Sequence, residues 1–338
     1  MHVENGWSLK VRFPTTTSAH RARPVSWIGP ALAGTLVMLA VAFTSCGGDA
    51  ETSAPGAGNG EGRLAVYTTF YPTWFFVKTI GGSSVNAVNP IPPDEDPIFF
   101  QPPAEMVLEY QQKADMIVLN GAGYARWVAK VMLPEEKVVN AGAAFEHDLI
   151  EIEAATTHSH GEQGEHTHEG IDGHTWIDPQ LAMEQCRAIA AALEAQAPEH
   201  AQDFTSRLEA LLAGLQDLDD RLRALQEKGL EVPVVASHPA YNYLCRRYGW
   251  TVVSFDFDPQ SLPAGPELEK LKAHVDAHPG TRYMVWEEMP CAATAQAIRE
   301  TCGLEPIEFA PVETPPGKDL DYLEIMQRNI ENLTPLFE

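Results

Sequence analysis

The chain has 338 residues, 44% hydrophobic and 21% charged, an ordinary globular composition with apolar mass for roughly two to three domains. Asp and Glu number 47 against 23 Lys and Arg, a formal charge of -24. A nucleic-acid or anionic-membrane face needs clustered Lys and Arg to displace counterions, so both are excluded as partners; a cationic ligand or a solvated acidic exterior fits this balance.

Residues 1–25 carry Lys10, Arg12, Arg21 and Arg23, and an apolar run from Trp27 to Phe43 then ends in Thr44-Ser45-Cys46. A basic head, about 17 apolar residues and a small-residue end read as a secretory signal over 1–45, with an uncleaved membrane anchor as the alternative. Cys46, followed by Gly47-Gly48-Asp49, resembles the lipidated cysteine of a bacterial lipoprotein, although Phe43 stands where such sites usually have Leu. This reading puts the body outside the cytoplasmic membrane, on the periplasmic side. Residues 46–63, rich in Gly, Ala, Ser and Pro, are then its flexible tether. Of the remaining cysteines, Cys291 and Cys302 flank a helical pattern that would hold them about 16 Å apart, too far to join. Pairing of Cys245 with one of them and buried free thiols both stay open, Cys186 included, and no CxxC pair marks a redox site.

In the body, Leu64–Thr68 reads as a strand and Tyr71–Ile80 as a helix stopped by Gly81-Gly82. Val85–Val88 follows as a strand, and Pro90, Pro92, Pro93 and Pro97 force an irregular loop. Pro103–Lys113 reads as a helix, Met116–Leu119 as a buried strand, Tyr124–Val131 as a helix and Val138-Val139 as a strand. This alternation indicates an α/β lobe with a mostly parallel sheet over 64–198. Residues 156–173 have almost no apolar content and hold His158, His160, His166 and His168, which reads as a solvated, disordered, His-rich loop suited to gathering metal ions weakly. Pro179–Gln196 is helical. Over 199–229, Phe204, Leu208, Leu211, Leu215, Leu218, Leu222 and Leu225 recur at threes and fours up to a capping Gly229. About 30 helical residues span roughly 45 Å, the length of a rigid connector between lobes. Residues 230–338 repeat the strand–helix alternation as a second α/β lobe, with strands at Val232–Ala236, Thr251–Phe255, Tyr283–Trp286 and Ile307–Phe309.

Two positions stand out for chemistry. His174, in Gly173-His174-Thr175-Trp176-Ile177-Asp178-Pro179, leaves the His-rich segment just before a helix that Asp178 is suited to cap. His238, in Ser237-His238-Pro239-Ala240-Tyr241, lies between a strand end and a helix start, where ligands bind in open α/β sheets. Imidazole is a common nitrogen ligand for Zn²⁺.

With these residues in view, the body resembles the metal-binding lipoproteins of zinc and manganese ABC importers, the cluster A-I solute-binding proteins. The resemblance covers 64–338 and rests on Thr68-Thr69-Phe70-Tyr71-Pro72, Pro92-Pro93 with Asp96-Pro97, and Lys113-Ala114-Asp115. It continues through Asn120-Gly121-Ala122-Gly123 with Trp127, His174–Pro179, Ser237-His238 with Tyr243-Leu244, and Asp321-Tyr322-Leu323 with Met326 and Asn329. It implies two α/β lobes joined by one long helix, and a metal held in the cleft by three His, or two His and a Glu, plus an Asp. His174 and His238 match two ligands, and His at the second position leans toward Zn²⁺ over Mn²⁺. The other two ligand positions carry Ile98 and Ala310, which have no donor. Substitute donors are Glu287, taken as the third ligand, then Asp94, Glu95, Asp96, Asp256, Asp258 and Glu313, with a loop histidine such as His166 or His168 folding in as a further alternative.

The function this implies is capture of Zn²⁺ by a monomeric, lipid-anchored binding protein and its delivery to an ABC permease and ATPase; it implies no enzyme. The alternative is a divergent paralogue that has lost metal transport and serves adhesion, assembly or another solute. A metallohydrolase would need an open metal position with a general base, and no HExxH motif is present. The metal reading requires the rings of His174 and His238 to come within about 8 Å of each other, because Zn–N bonds run near 2 Å.

Overall fold

The computed structural model describes residues 62–159, 165–317 and 320–338, with the side chains of 153–169 outside the description. The signal segment, Cys46, most of the tether and His160 fall outside the described residues. Among the described residues, no helix is long and apolar enough to cross a membrane.

The elements in chain order are β1 (Leu64–Thr68), α1 (Tyr71–Gly81), β2 (Val85–Val88), α2 (Ala104–Lys113), β3 (Met116–Leu119), β4 (Val138–Asn140), β5 (Glu151–Ser159), β6 (Glu165–Ile171), α3 (Pro179–Gln196) and α4 (Ala201–Lys228). They continue with β7 (Val234–Ala236), α5 (Asn242–Tyr248), β8 (Val252–Ser254), α6 (Gly265–Ala277), β9 (Tyr283–Trp286), α7 (Ala292–Cys302), β10 (Glu305–Glu308) and α8 (Tyr322–Leu333). Two four-stranded parallel sheets result, ordered β2-β1-β3-β4 and β10-β9-β7-β8. The fold is therefore α/β with mostly parallel sheets. The central strands are apolar on both faces because helices cover both sides: Ala65 to Thr68 of β1 and all of β7 are buried.

Helix α4 crosses the molecule because its apolar stripe, Phe204, Leu211, Leu215, Leu218, Leu222 and Leu225, is buried along its whole length. Those side chains share one core with α1 and α3 on one side and with Leu244, Tyr248 and α8 on the other. A single charged residue lies in the stripe, Asp219. Its carboxylate accepts from Gln180 of α3 at 2.8 Å, from Tyr248 of α5 at 2.8 Å and from Arg223 at 2.8 Å. Burial alone would raise its pKa; the bonds from Arg223, Tyr248 and Gln180 outweigh burial and lower it. Gly229 ends the helix with φ 78, a conformation that favours glycine.

Three expectations need correction. The segment Tyr124–Val131 is not an α-helix but a short 3₁₀ turn over Arg126–Lys130. Gly121, Ala122 and Gly123 precede it with φ of 88, 54 and 65, so the chain swings into a tight left-handed bend, and Trp127 is drawn against Tyr110, ring centroids 5.1 Å apart. The His-rich stretch is a hairpin in its backbone, with β5 and β6 antiparallel and His158 opposite His166. A ladder of backbone hydrogen bonds needs no apolar face, and this one is anchored at its base by Asp172 N–H donating to the Ile150 carbonyl at 2.9 Å. The last strand is Glu305–Glu308, two residues earlier than the apolar run suggests, because β10 pairs with β9 through Glu305 opposite Tyr283. Cys186, Cys245, Cys291 and Cys302 are free thiols.

Candidate metal site

Parallel strands send all their C-terminal ends to one edge, and loops that leave such an edge converge. Here His238 follows β7, Glu287 follows β9, the stretch Ala310–Glu313 follows β10, and the proline-rich loop with Asp96 and Ile98 follows β2. They line a cavity of about 510 Å³.

His174 is 2% exposed. Its backbone N–H and its Nδ1 both meet Asp172 Oδ1, at 3.0 and 2.7 Å, so the ring is fixed from two residues away. Its Nε2 lies 3.0 Å from Glu313 Oε1. Burial by itself would lower the His174 pKa. The carboxylates of Asp172 and Glu313, one at each ring nitrogen, outweigh that and raise it to about 10. His238, 6% exposed, presents Nδ1 to Glu287 Oε2 at 4.0 Å. The two imidazole centroids are 6.3 Å apart with planes at 82°, which meets the proximity requirement. Each imidazole is thus paired with a carboxylate. Among the described residues, no three His, Cys, Asp or Glu donors already surround one point.

Glu313 enters the cleft through an unusual backbone. Val312, β-branched and buried, has φ 64, a region that costs such a residue strain. Neighbouring contacts hold it there: Trp176 Nε1 donates to the Pro311 carbonyl at 2.6 Å, and Tyr71 N–H donates to the Glu313 carbonyl at 3.4 Å. Glu287 is raised to about 8 by burial and then by the Glu313 charge; Asp96 is raised to about 6 by the same two causes in the same order.

Neither substituted position offers a metal donor, and each is held by its surroundings. Ile98, 7% exposed, belongs to the main core while its edge lines the cavity. Ala310 is clasped by Asn329, which donates to its carbonyl at 2.7 Å and accepts from its N–H at 3.0 Å. Of the substitute donors, Asp94 and Glu95 lie on the exposed rim. Asp258 accepts locally from Gln260 N–H and Ser261 Oγ, at 2.7 and 2.9 Å, and Asp256 does not line the cavity. Asp178 caps α3, accepting from Gln180 N–H at 2.9 Å, and pairs with Arg247 of α5 at 2.8 Å. The positions of His158, His166 and His168 are known only as backbone positions on the hairpin.

Sequence reasoning passed over Asp172, Asn242 and Tyr124. An Asp two residues before a candidate His ligand was the available signal, since imidazole ligands commonly donate their second nitrogen to a carboxylate.

The profile of a family described as ZnuA, zinc-uptake complex component A, periplasmic, matches residues 66–335. The zinc-binding lipoprotein AdcA of Streptococcus pneumoniae is 28% identical over 282 residues, covering 81% of this chain and 56% of AdcA, so the chain spans about half the length of that relative. The high-affinity zinc uptake system protein ZnuA of Bacillus subtilis is 28% identical over 307 residues, covering 88% of this chain and 95% of that protein. In structure, the chain is similar to the Zn(II)-bound ZnuA-like domain of S. pneumoniae AdcA, with TM-score 0.70, 25% identity and coverage of 82% and 99%. The two-lobed fold and the profile match over most of its length place this chain in the ZnuA family of zinc-uptake solute-binding proteins.

Proposed function

We propose that this protein captures Zn²⁺ in the cleft between its sheets and hands it to an ABC importer at the outer face of the cytoplasmic membrane, tethered there through Cys46. The observation that carries this reading is the approach of the His174 and His238 rings to 6.3 Å across the cleft, each with a carboxylate at hand. The ligand set is His174 Nε2, His238, Glu287 and Glu313, which supplies the four donors that Zn²⁺ prefers. Asp96, which lines the same cavity and interacts with Glu313 by charge, adds further negative potential. Glu313 and Glu287 then take the roles that Ala310 and Ile98 cannot fill. Sheets bridged by α4, with Asp219 bonded to both sides, change their separation little, so selectivity comes from donor type and geometry. The His-rich hairpin gathers ions near the cleft. Zinc titration against a competing chelator tests the reading: His174→Ala and His238→Ala should each lower affinity at least tenfold. Tight binding that survives in the double variant overturns it.

A further inference from the structure

Tyr124 follows the left-handed bend Gly121–Gly123 and points its ring into the heart of the molecule, 3% exposed. Its centroid is 4.5 Å from Phe70 and 4.7 Å from Trp176, and 6.0 Å from the His174 ring. It packs on the backbone of the His174 loop itself: a Cβ on Gly173 would come within 2.7 Å of Tyr124 Cδ2. The ring is therefore held rigidly beside a proposed zinc ligand.

The hydroxyl at its tip is buried and has no hydrogen-bond partner among the described residues. Buried hydroxyls are almost always paired, so an orphan at a functional cleft needs an explanation. Its surroundings are acceptors: Glu313 stands beside it without completing a well-formed hydrogen bond, and Asp96 and Glu287 act on it by charge. Burial first, and then Glu313 and Asp96, hold its pKa well above the ordinary phenol value, so the group stays a neutral donor.

Resting on the zinc reading above, we propose that Tyr124 is a positioning residue whose hydroxyl donates to the Glu313 carboxylate when zinc is bound. Glu313 Oε1 now faces His174 Nε2, the nitrogen that a cation must claim. When Zn²⁺ takes that nitrogen, Nε2 gives up its proton to solvent and its hydrogen bond to Glu313. The carboxylate then turns one oxygen to the metal and needs a donor for the other. Tyr124 is rigid, neutral and unpaired at that place. Its hydroxyl goes unsatisfied in one arrangement so that the carboxylate is oriented in the other.

The test is Tyr124→Phe in the full protein, measured for Zn²⁺ affinity by chelator competition and for melting temperature without metal. Because the lost hydroxyl has no partner in the arrangement seen, the metal-free melting temperature should hold or rise. Affinity should fall roughly tenfold, as for loss of a hydrogen bond to a charged group. A melting temperature that falls while affinity holds marks a purely structural role and overturns the proposal. His174→Ala, measured in parallel, separates the two readings. If that variant loses zinc and Tyr124→Phe does not, only the role of Tyr124 fails. If His174→Ala binds as the parent does, the zinc site and the role of Tyr124 fail together.

Discussion

Asn242 of α5 donates through Nδ2 to Asp172 Oδ2 at 2.9 Å, so the carboxylate that fixes His174 is itself fixed from the helix that follows His238. Tyr243 adds a second tie, donating to the Asp172 carbonyl at 2.8 Å. The two imidazoles are spaced by this buried bridge, and the loops that carry them cannot drift apart without breaking it. A supporting group of this kind is worth about 10–100-fold in metal affinity. Asn242→Ala should weaken zinc binding by about tenfold and cost about 1 kcal/mol of stability. Chelator competition and urea denaturation measure the two; an affinity equal to the parent's would show that the bridge does not set the ligand spacing.

Proton linkage gives an opposed pair of pH trends. Glu287 holds its proton to about 8 when folded against 4.5 ordinarily, and Asp96 to about 6 against 3.8. A carboxyl raised on folding loses stability as pH climbs between its two values. His174, raised from 6.5 to about 10, contributes stability that is complete below 6.5 and is lost as pH rises through the higher value. All three act in one direction, Asp96 below about pH 6 and Glu287 and His174 across pH 6–8, so the metal-free protein should melt higher at pH 6 than at pH 8. Zinc competes with these same protons, so its affinity should rise over that interval. Calorimetric melting with and without zinc at the two pH values checks both signs, and a metal-free protein that is more stable at pH 8 contradicts the assignment.

Ile98 lines the cavity from the side where the resemblance expects an imidazole. Ile98→His should therefore bring a third ring to the cleft and tighten zinc binding roughly tenfold or more. The same change removes a packed side chain from the core and should lower stability by about 1–2 kcal/mol. Weaker binding in this variant would mean that the proline-rich loop aims its side chain away from the ion.

Asp219 should matter to stability and not to the metal. Its carboxylate gathers α3, α4 and α5 at one buried point, and removing it leaves the Tyr248 hydroxyl and the Gln180 amide without their acceptor. Arg223 is half exposed and regains water, which limits the loss. Asp219→Ala should cost about 2 kcal/mol with zinc affinity within about threefold of the parent. Denaturant unfolding and the same competition assay separate the two effects; a parallel loss of affinity would make α4 part of the site's geometry.

How far the sequence could be read differs between scaffold and site. The parallel strands, the length of α4 and the cap at Gly229 were legible because each follows from local periodicity or from a residue with special backbone freedom. The turn after Gly123 reads as a helix in the sequence because Tyr124, Trp127 and Val128 sit at helical spacing, while the left-handed residues Gly121–Gly123 before them decide the path. The hairpin was misread because apolar content says nothing about a ladder of backbone hydrogen bonds.

Taken by itself, the order of residues determined the α/β class and the long connecting helix, since these depend on patterns within a few turns of chain, and it offered His174 and His238 as candidates through the family resemblance. Which acids join the histidines was decided only in three dimensions. Glu313 reaches His174 across 139 positions because the strained backbone at Val312 turns it inward. Asp172 is held by a side chain 70 positions away. Such contacts arise where separate strand ends meet at one edge, and no local pattern encodes that meeting.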